Sequence, residues 1–252
     1  MEIVNQDGIS KQPLMLDEQW RADGINDTPG NLEGFDCSDC KNRGYIAEIR
    51  NEAVVCVRCK CMDKRESLLR IAKSGLSAAL EENTLDKYQT PQAWQKEAKK
   101  MAESFAADPR GWFCAMGAVG SGKTHLCTAI AGELLKQGMG VKYMLWRDEA
   151  VRIKACVTDD EEYHRLVNPL KTIKCLYIDD FFKGNITPAD INLAFEILNS
   201  RYNDRKLITI ISSEKTIEEL LSIDEAIGSR IYERSKGFYV RVTGDKNWRL
   251  KS

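Results

Sequence analysis

A chain of 252 residues with 43% apolar and 30% charged side chains can build one α/β domain with a buried core and a small accessory module. A formal net charge of −1 excludes nucleic-acid binding through bulk charge and leaves only a local patch for such contact. No run approaches the ~18 apolar residues of a membrane span, and the start Met1–Asp7 lacks the basic and apolar regions of a secretory leader, so a cytoplasmic protein without membrane association is expected.

Residues 1–35 are polar and without strong periodicity, and are read as an N-terminal arm, either flexible or partner-binding. Residues 36–62 hold Cys37, Cys40, Cys56, Cys59 and Cys61. In a reducing compartment clustered cysteines are metal ligands more often than cross-links. Gly44–Ile49 and Ala53–Val55 flank Asn51-Glu52 and predict a hairpin between the two cysteine groups. Two C-x2-C pairs, Cys37/Cys40 and Cys56/Cys59, have zinc-ribbon spacing, and soft thiolates suit a tetrahedral Zn²⁺. Cys61 is a fifth candidate, so either Cys56 or Cys61 is spare. Such a module, about 30 residues long, buries too little core to fold without its metal. Residues 63–83, with Leu68, Leu69, Ile71, Leu76 and Leu80 broken by Gly75, are a helical linker.

Residues 84–252 form the main domain. Trp94, Ala98, Met101, Ala102 and Phe105 recur at helical spacing until Asp108-Pro109. A strand over Trp112–Met116 leads into a glycine-rich loop, and a helix carrying Leu126, Ile130 and Leu134 ends at Gly138. Strands at Val141–Trp146, Ile173–Ile178, Leu207–Ile211 and Phe238–Val242 alternate with helices, one opened by Pro188. That alternation predicts an α/β fold with a mostly parallel sheet and helices on both faces. Cys114, Cys127, Cys156 and Cys175 lie among apolar neighbours and are read as core.

Gly117-Ala118-Val119-Gly120-Ser121-Gly122-Lys123-Thr124 matches G-x-x-x-x-G-K-[ST] at every fixed position, between a strand and a helix. Glycines permit positive φ and bare backbone amides, which converge on a phosphate at the positive end of the helix. Lys123 supplies charge to the β- and γ-phosphates, and the Thr124 hydroxyl is a ligand for Mg²⁺. His125, the next residue, completes the cofactor-binding set from Gly117 to His125; its ring is expected to pack, and neither it nor His164 is read as catalytic. Four apolar strand residues then present Asp179 and Asp180 at a carboxyl edge, Asp179 for Mg²⁺ and Asp180 to orient a water. Phosphoryl transfer from ATP to water is the implied reaction, with Lys123 and Asp180 in the catalytic set. Arg230, opening a short helix, suits a finger reaching the γ-phosphate of a neighbouring copy, with Arg234 as the alternative. An arginine acting in trans requires self-association.

With these motifs the domain resembles the AAA+ helicase loaders of the DnaC/DnaI type and their relatives, the IstB-like transposition ATPases. The likeness is carried by Gly117–Thr124, Leu176–Asp180, Ile210-Ile211-Ser212-Ser213-Glu214, Gly228-Ser229-Arg230 and Asn247-Trp248-Arg249. It implies a P-loop AAA+ ATPase, phage-encoded or cellular, that binds the replicative hexameric helicase through its N-terminal region and delivers it to single-stranded DNA. It also implies a γ-phosphate sensor at Ser213 or Glu214, ahead of Ser212, a second sensor at Arg249, and Thr84, Leu85 and Tyr88 near the adenine. Loader-like sequences often end the cysteine cluster with C-x-C, which would make Cys59 and Cys61 the second pair and leave Cys56 spare, with Cys37, Cys40 and Cys59 common to both readings. Asp180 stands where many AAA+ proteins have glutamate, so turnover is expected to be slow and switch-like. The chain ends soon after its last strand, so no helical lid is expected.

The competing functions are an IstB-like transposition helper assembling on duplex DNA and a zinc-ribbon nucleic-acid-binding regulator gated by ATP. The lysines at 96, 99, 100, 171, 174 and 183 are read as solvated faces, and Trp146 as core.

Overall fold

The computed structural model describes residues 12–34, 36–73 and 77–242. It divides into two compact units, Met1–Arg65 and Glu66–Ser252, with the division inside helix α2 (Cys61–Lys73). No helix among the described residues is long and apolar enough to cross a membrane.

In the first unit, β1 (Tyr45–Arg50) and β2 (Ala53–Arg58) form the expected antiparallel hairpin, with Arg50 opposite Ala53. Asn51 and Glu52 make its two-residue turn at φ of 52° and 62°, the left-handed pair that matches the strands' twist. Helix α1 (Gln12–Asp27) is an addition that the sequence did not announce. Its packing against the hairpin rests on few positions: Ala22 is buried, and the Asn26 side-chain amide exchanges two 2.9 Å hydrogen bonds with the backbone of Ala47.

The second unit runs α3 (Ser77–Glu82), α4 (Ala93–Ala107), β3 (Trp112–Gly117), α5 (Lys123–Lys136), β4 (Val141–Leu145), α6 (Trp146–Ala155), α7 (Asp160–Thr172), β5 (Cys175–Asp179), α8 (Pro188–Asn203), β6 (Ile208–Ser213), α9 (Ile217–Ile223), α10 (Glu225–Arg234) and β7 (Tyr239–Val242). Its five strands are parallel in the order β4-β5-β6-β3-β7. Alternation along each strand divides the core in two. Phe113, Ala115, Tyr177 and Ile210 pack with α4 and α5 on one face. Trp112, Cys114, Met116, Leu176, Ile178 and Ile211 pack with α6 to α10 on the other. Burying each large side chain contributes about 1.5–3 kcal/mol, and coverage on both faces explains why β3, β5 and β6 read as unbroken apolar runs. This is the α/β architecture with helices on both faces that the alternation predicts.

Helix starts follow local chemistry. Thr187 caps α8 in a reciprocal box with Asp190, with Pro188 in the first turn, and Thr216 does the same for α9 with Glu219. Strand order then positions the site. β6 lies between β3 and β5, so the carboxyl ends of all three open into one cleft, where parallel sheets bind ligands.

Candidate nucleotide cleft and cysteine cluster

The loop after β3 has glycines where the backbone requires them. Gly117, Gly120 and Gly122 take φ of 113°, 68° and 89°. A Cβ on Gly117 would meet the Val242 carbonyl oxygen at 2.3 Å, and one on Gly122 would press on the Tyr88 ring at 3.3 Å. Val119 is exposed at the loop tip, and Ser121 Oγ turns back to the Ala118 carbonyl at 2.7 Å. Lys123 is buried, and its Nζ donates to the carbonyls of Gly117 (2.9 Å) and Ala118 (2.6 Å). Burial lowers its pKa, partly offset by the charges of Glu214 and Asp180. The ammonium is thus held against two loop carbonyls beside the cleft, ready for an anion with which to share its charge.

Asp179, at the end of β5, is 5% exposed and surrounded by hydroxyls. Thr124 Oγ1 donates to its Oδ1 at 3.2 Å, Tyr143 Oη to its Oδ2 at 3.3 Å, and Ser212 Oγ also donates to Oδ1. Burial and the Asp179 charge push the Tyr143 phenol well up, so it stays a donor. Thr124 and Asp179, one hard oxygen from each side of the cleft, are suited to a shared Mg²⁺. Asp180 follows in a tight turn, its amide donating to Ser212 Oγ at 3.0 Å and its carboxylate paired with Lys183 at 2.9 Å.

Two adjoining cavities open over the loop. One, of about 310 Å³, is lined by Lys123, Thr124, Asp180, Lys183 and Glu214 among others. The second, of about 340 Å³, is lined by Tyr88, Gln89, Gln95 and Ser121, and shares Asn83, Gly122 and His125 with the first. His125 Nε2 lies 2.9 Å from the Thr84 carbonyl, and its ring meets Tyr88 edge-on at 5.3 Å. The ring packs, as expected, and ties the 84–88 segment to α5.

Several expected residues sit elsewhere. Ser213 Oγ is buried against the Phe181 carbonyl at 2.7 Å, away from the cleft. The reason is strand parity. β6 residue Ile210 lies opposite Tyr177 and Ile211 opposite Ile178, so Ser212 falls on the Asp179 side and Ser213 on the other. Ser212, ranked last from sequence, is therefore the serine beside Asp179. Arg230, expected to act on a neighbouring copy, is outside both cavities of its own chain, with its Nε donating to Asn199 at 3.1 Å and its guanidinium over the Phe195 and Tyr202 rings. Arg234, the alternative finger, is buried, donates to the Leu207 carbonyl at 3.1 Å and stacks over Trp112, so it is structural. Gly228 is needed for helix contact, since a Cβ there would lie 2.7 Å from the Leu221 amide nitrogen. Arg249, with Asn247 and Trp248, lies outside the described residues. Tyr143 and Lys183 are the charged or acid-contacting cleft residues that sequence reasoning missed, along with Asn83, Gln89 and Gln95 in the cavity lining. The register that pairs Tyr143 with Tyr177 was the usable signal for the first.

In the first unit, Cys37, Cys40, Cys59 and Cys61 bring their sulfurs within 4.8 Å of one another. Cys37 to Cys59 measures 3.9 Å and Cys40 to Cys61 3.5 Å, close to the ~3.8 Å edge of a tetrahedron with Zn–S bonds of about 2.3 Å. The Gly44 amide donates to Cys40 Sγ at 3.4 Å, and Cys37 N to Asn42 Oδ1 at 2.9 Å, so the loop is held from outside the cluster. Cys56 is exposed on β2 and is not in the group. Its C-x2-C pairing with Cys59 gives way to C-x-C because β2 points Cys56 outward, whereas Cys61 starts α2 beside the other sulfurs. The four thiols fit a zinc module.

Comparisons with known proteins agree with this geometry. Residues 55–250 match the family of IstB-like ATP binding proteins. The chain is similar to the phage-like element PBSX protein XkdC of Bacillus subtilis (strain 168), 29% identical over 259 residues that cover 96% of this chain and 92% of that one. In fold it is similar to the DnaC helicase loader, with a TM-score of 0.57, 20% identity and coverage of 66% of this chain and 99% of that chain. It is likewise similar to DnaI, with a TM-score of 0.52, 19% identity and coverage of 67% and 92%. The parallel α/β architecture and a likeness in fold to DnaC and DnaI are both found. On its matched sequence and its phosphate loop, the chain belongs to the family of IstB-like ATP binding proteins.

Proposed function

We propose that this chain is an ATPase that loads the replicative hexameric helicase onto single-stranded DNA. The observation that carries the reading is the meeting of Thr124 and Asp179 at 3.2 Å beside the Lys123 loop. ATP would lie with its base in the cavity at Tyr88 and Gln89 and its phosphates over Gly117–Thr124. Lys123 would neutralise the β- and γ-phosphates, and Thr124 and Asp179 would hold Mg²⁺, whose charge assists departure of the γ-phosphoryl group. Asp180 would orient the attacking water, with slow turnover because its side chain is short. Ser212, rather than Ser213, fits the polar position beside the acidic strand. The cysteine module and the arm before it would supply the helicase contact, and the loading role as a whole is supported by the fold likeness to the DnaC helicase loader. The relation to a phage-like element protein supports a phage setting.

Arg230 would act from one copy on the ATP of its neighbour. Lys123→Ala should abolish nucleotide binding, and Arg230→Ala should keep binding but slow turnover on the order of a thousandfold. Mixing the two variants should restore turnover, since each supplies what the other lacks; no restoration would remove Arg230 from that role. For loading, the full chain with ATP should co-purify with the replicative helicase, and Lys123→Ala should weaken the complex. Stable assembly on duplex DNA with no helicase retained would instead favour the transposition-helper reading.

A further inference from the structure

Lys183 enters the cleft from a turn with an unusual backbone. Asp180 and Phe182 both take positive φ, 53° and 55°, without being glycine. Non-glycine residues hold such conformations only where their surroundings over-determine them. Here Phe181 and Phe182 are both buried, stack at 4.1 Å, and each meets Trp146 edge-on. The Phe181 amide donates to the Ser212 carbonyl at 2.8 Å, and Ser213 Oγ donates to the Phe181 carbonyl. With both rings fixed in the core, the next side chain is directed to the cleft. Lys183 Nζ reaches Asp180 Oδ2 and Glu214 Oε1, each at 2.9 Å, and lines the same cavity as Lys123 and Thr124. Hydrogen bonds that it donates to Asp180 and Glu214 raise its pKa, so it is charged at neutral pH.

We propose that Lys183 is a second phosphate-binding lysine, which reads the terminal phosphate of a nucleoside triphosphate and so makes the cleft prefer triphosphate to diphosphate. This rests on the nucleotide reading above. Lys123 is bound to its own loop's carbonyls, whereas Lys183 stands on the β5 side with a flexible four-carbon stem and is only partly buried. A terminal phosphate brings denser negative charge than either carboxylate, and charge-assisted bonds to phosphate are among the strongest available. Moving to it, Lys183 would leave Asp180 free to accept a hydrogen bond from water. A diphosphate would leave the lysine on Asp180 and Glu214.

The test measures affinity of the full chain, with Mg²⁺, for ADP and for a non-hydrolysable ATP analogue, by competition against a fluorescent nucleotide. Lys183→Met should weaken the analogue about tenfold or more while leaving ADP unchanged, and Lys183→Arg should restore most of the loss. Equal weakening of both nucleotides, or no change in either, would overturn the proposal. Glu214→Gln removes one of the lysine's partners and should raise the analogue-to-ADP preference; an unchanged ratio in a folded Glu214→Gln protein would overturn the proposal by itself. Failure of the unaltered protein to bind either nucleotide would instead overturn the nucleotide reading.

Discussion

At the scale of single residues, hydroxyls and parity decide how the acidic strand works. Asp179 is oriented by Thr124, Tyr143 and Ser212, and only Ser212 comes from the neighbouring strand β6. Outer partners of a metal-binding group typically set affinity by 10- to 100-fold. Ser212→Ala should therefore weaken Mg²⁺-dependent nucleotide binding about tenfold, and by more than Ser213→Ala, as read by titrating Mg²⁺ at fixed nucleotide. Asp190 makes a different point. Burial alone would raise its pKa, but hydrogen bonds from Lys154, at 2.5 Å, and from Thr187 bring it below the ordinary 3.8. A depressed folded-state value means stability that is full above the unfolded pKa and lost as the pH falls through the folded one. Asp190→Ala should cost about 2 kcal/mol at neutral pH, with the difference from the unaltered protein closing below about pH 4 in denaturant melts.

Among elements, buried arginines join pieces that apolar packing leaves loose. Arg201 on α8 is fully buried, with Nη1 donating to the carbonyls of Leu170 and Ile173, Nη2 to Ile208 and Nε to Thr209 Oγ1. Burial lowers its pKa to about 10, which still leaves it protonated at neutral pH. It bonds the end of α7 to the start of β6 through three buried carbonyls and a hydroxyl. Arg201→Leu should destabilise the domain by about 3 kcal/mol or more, because those acceptors stay buried without donors. Chemical denaturation checks this, and a loss below about 1 kcal/mol would show that the carbonyls find other partners. An arginine two residues from the end of a helix carries no sign of enclosure in the sequence. Only the fold shows it enclosed.

For the whole molecule, the cysteine module offers the sharpest separation of alternatives. Cys61→Ser should lose bound zinc and unfold the first unit, whereas Cys56→Ser should retain one zinc per chain, as measured by metal analysis and circular dichroism. Equal zinc content in the two variants would contradict the C-x-C pairing. Chelation should unfold the module, because its described core is little more than the cysteines and their neighbours, such as Ile46 and Met62.

The sequence alone determined those features whose physics is local. The phosphate loop needs glycines and a lysine at fixed spacing, the hairpin needs two turn residues between β-prone runs, and a doubly covered parallel sheet shows as unbroken apolar strands. Asp179 was legible for the same reason, as the first charge after a buried strand. The tertiary structure decided what depends on register and enclosure: Ser212 over Ser213, Cys61 over Cys56, Arg234 as core, α1 as a helix on a hairpin, and Lys183 across the cleft. Each of these turns on which side of a strand or helix a residue faces against a partner distant in the chain. A one-residue step reverses that choice, and composition is blind to it.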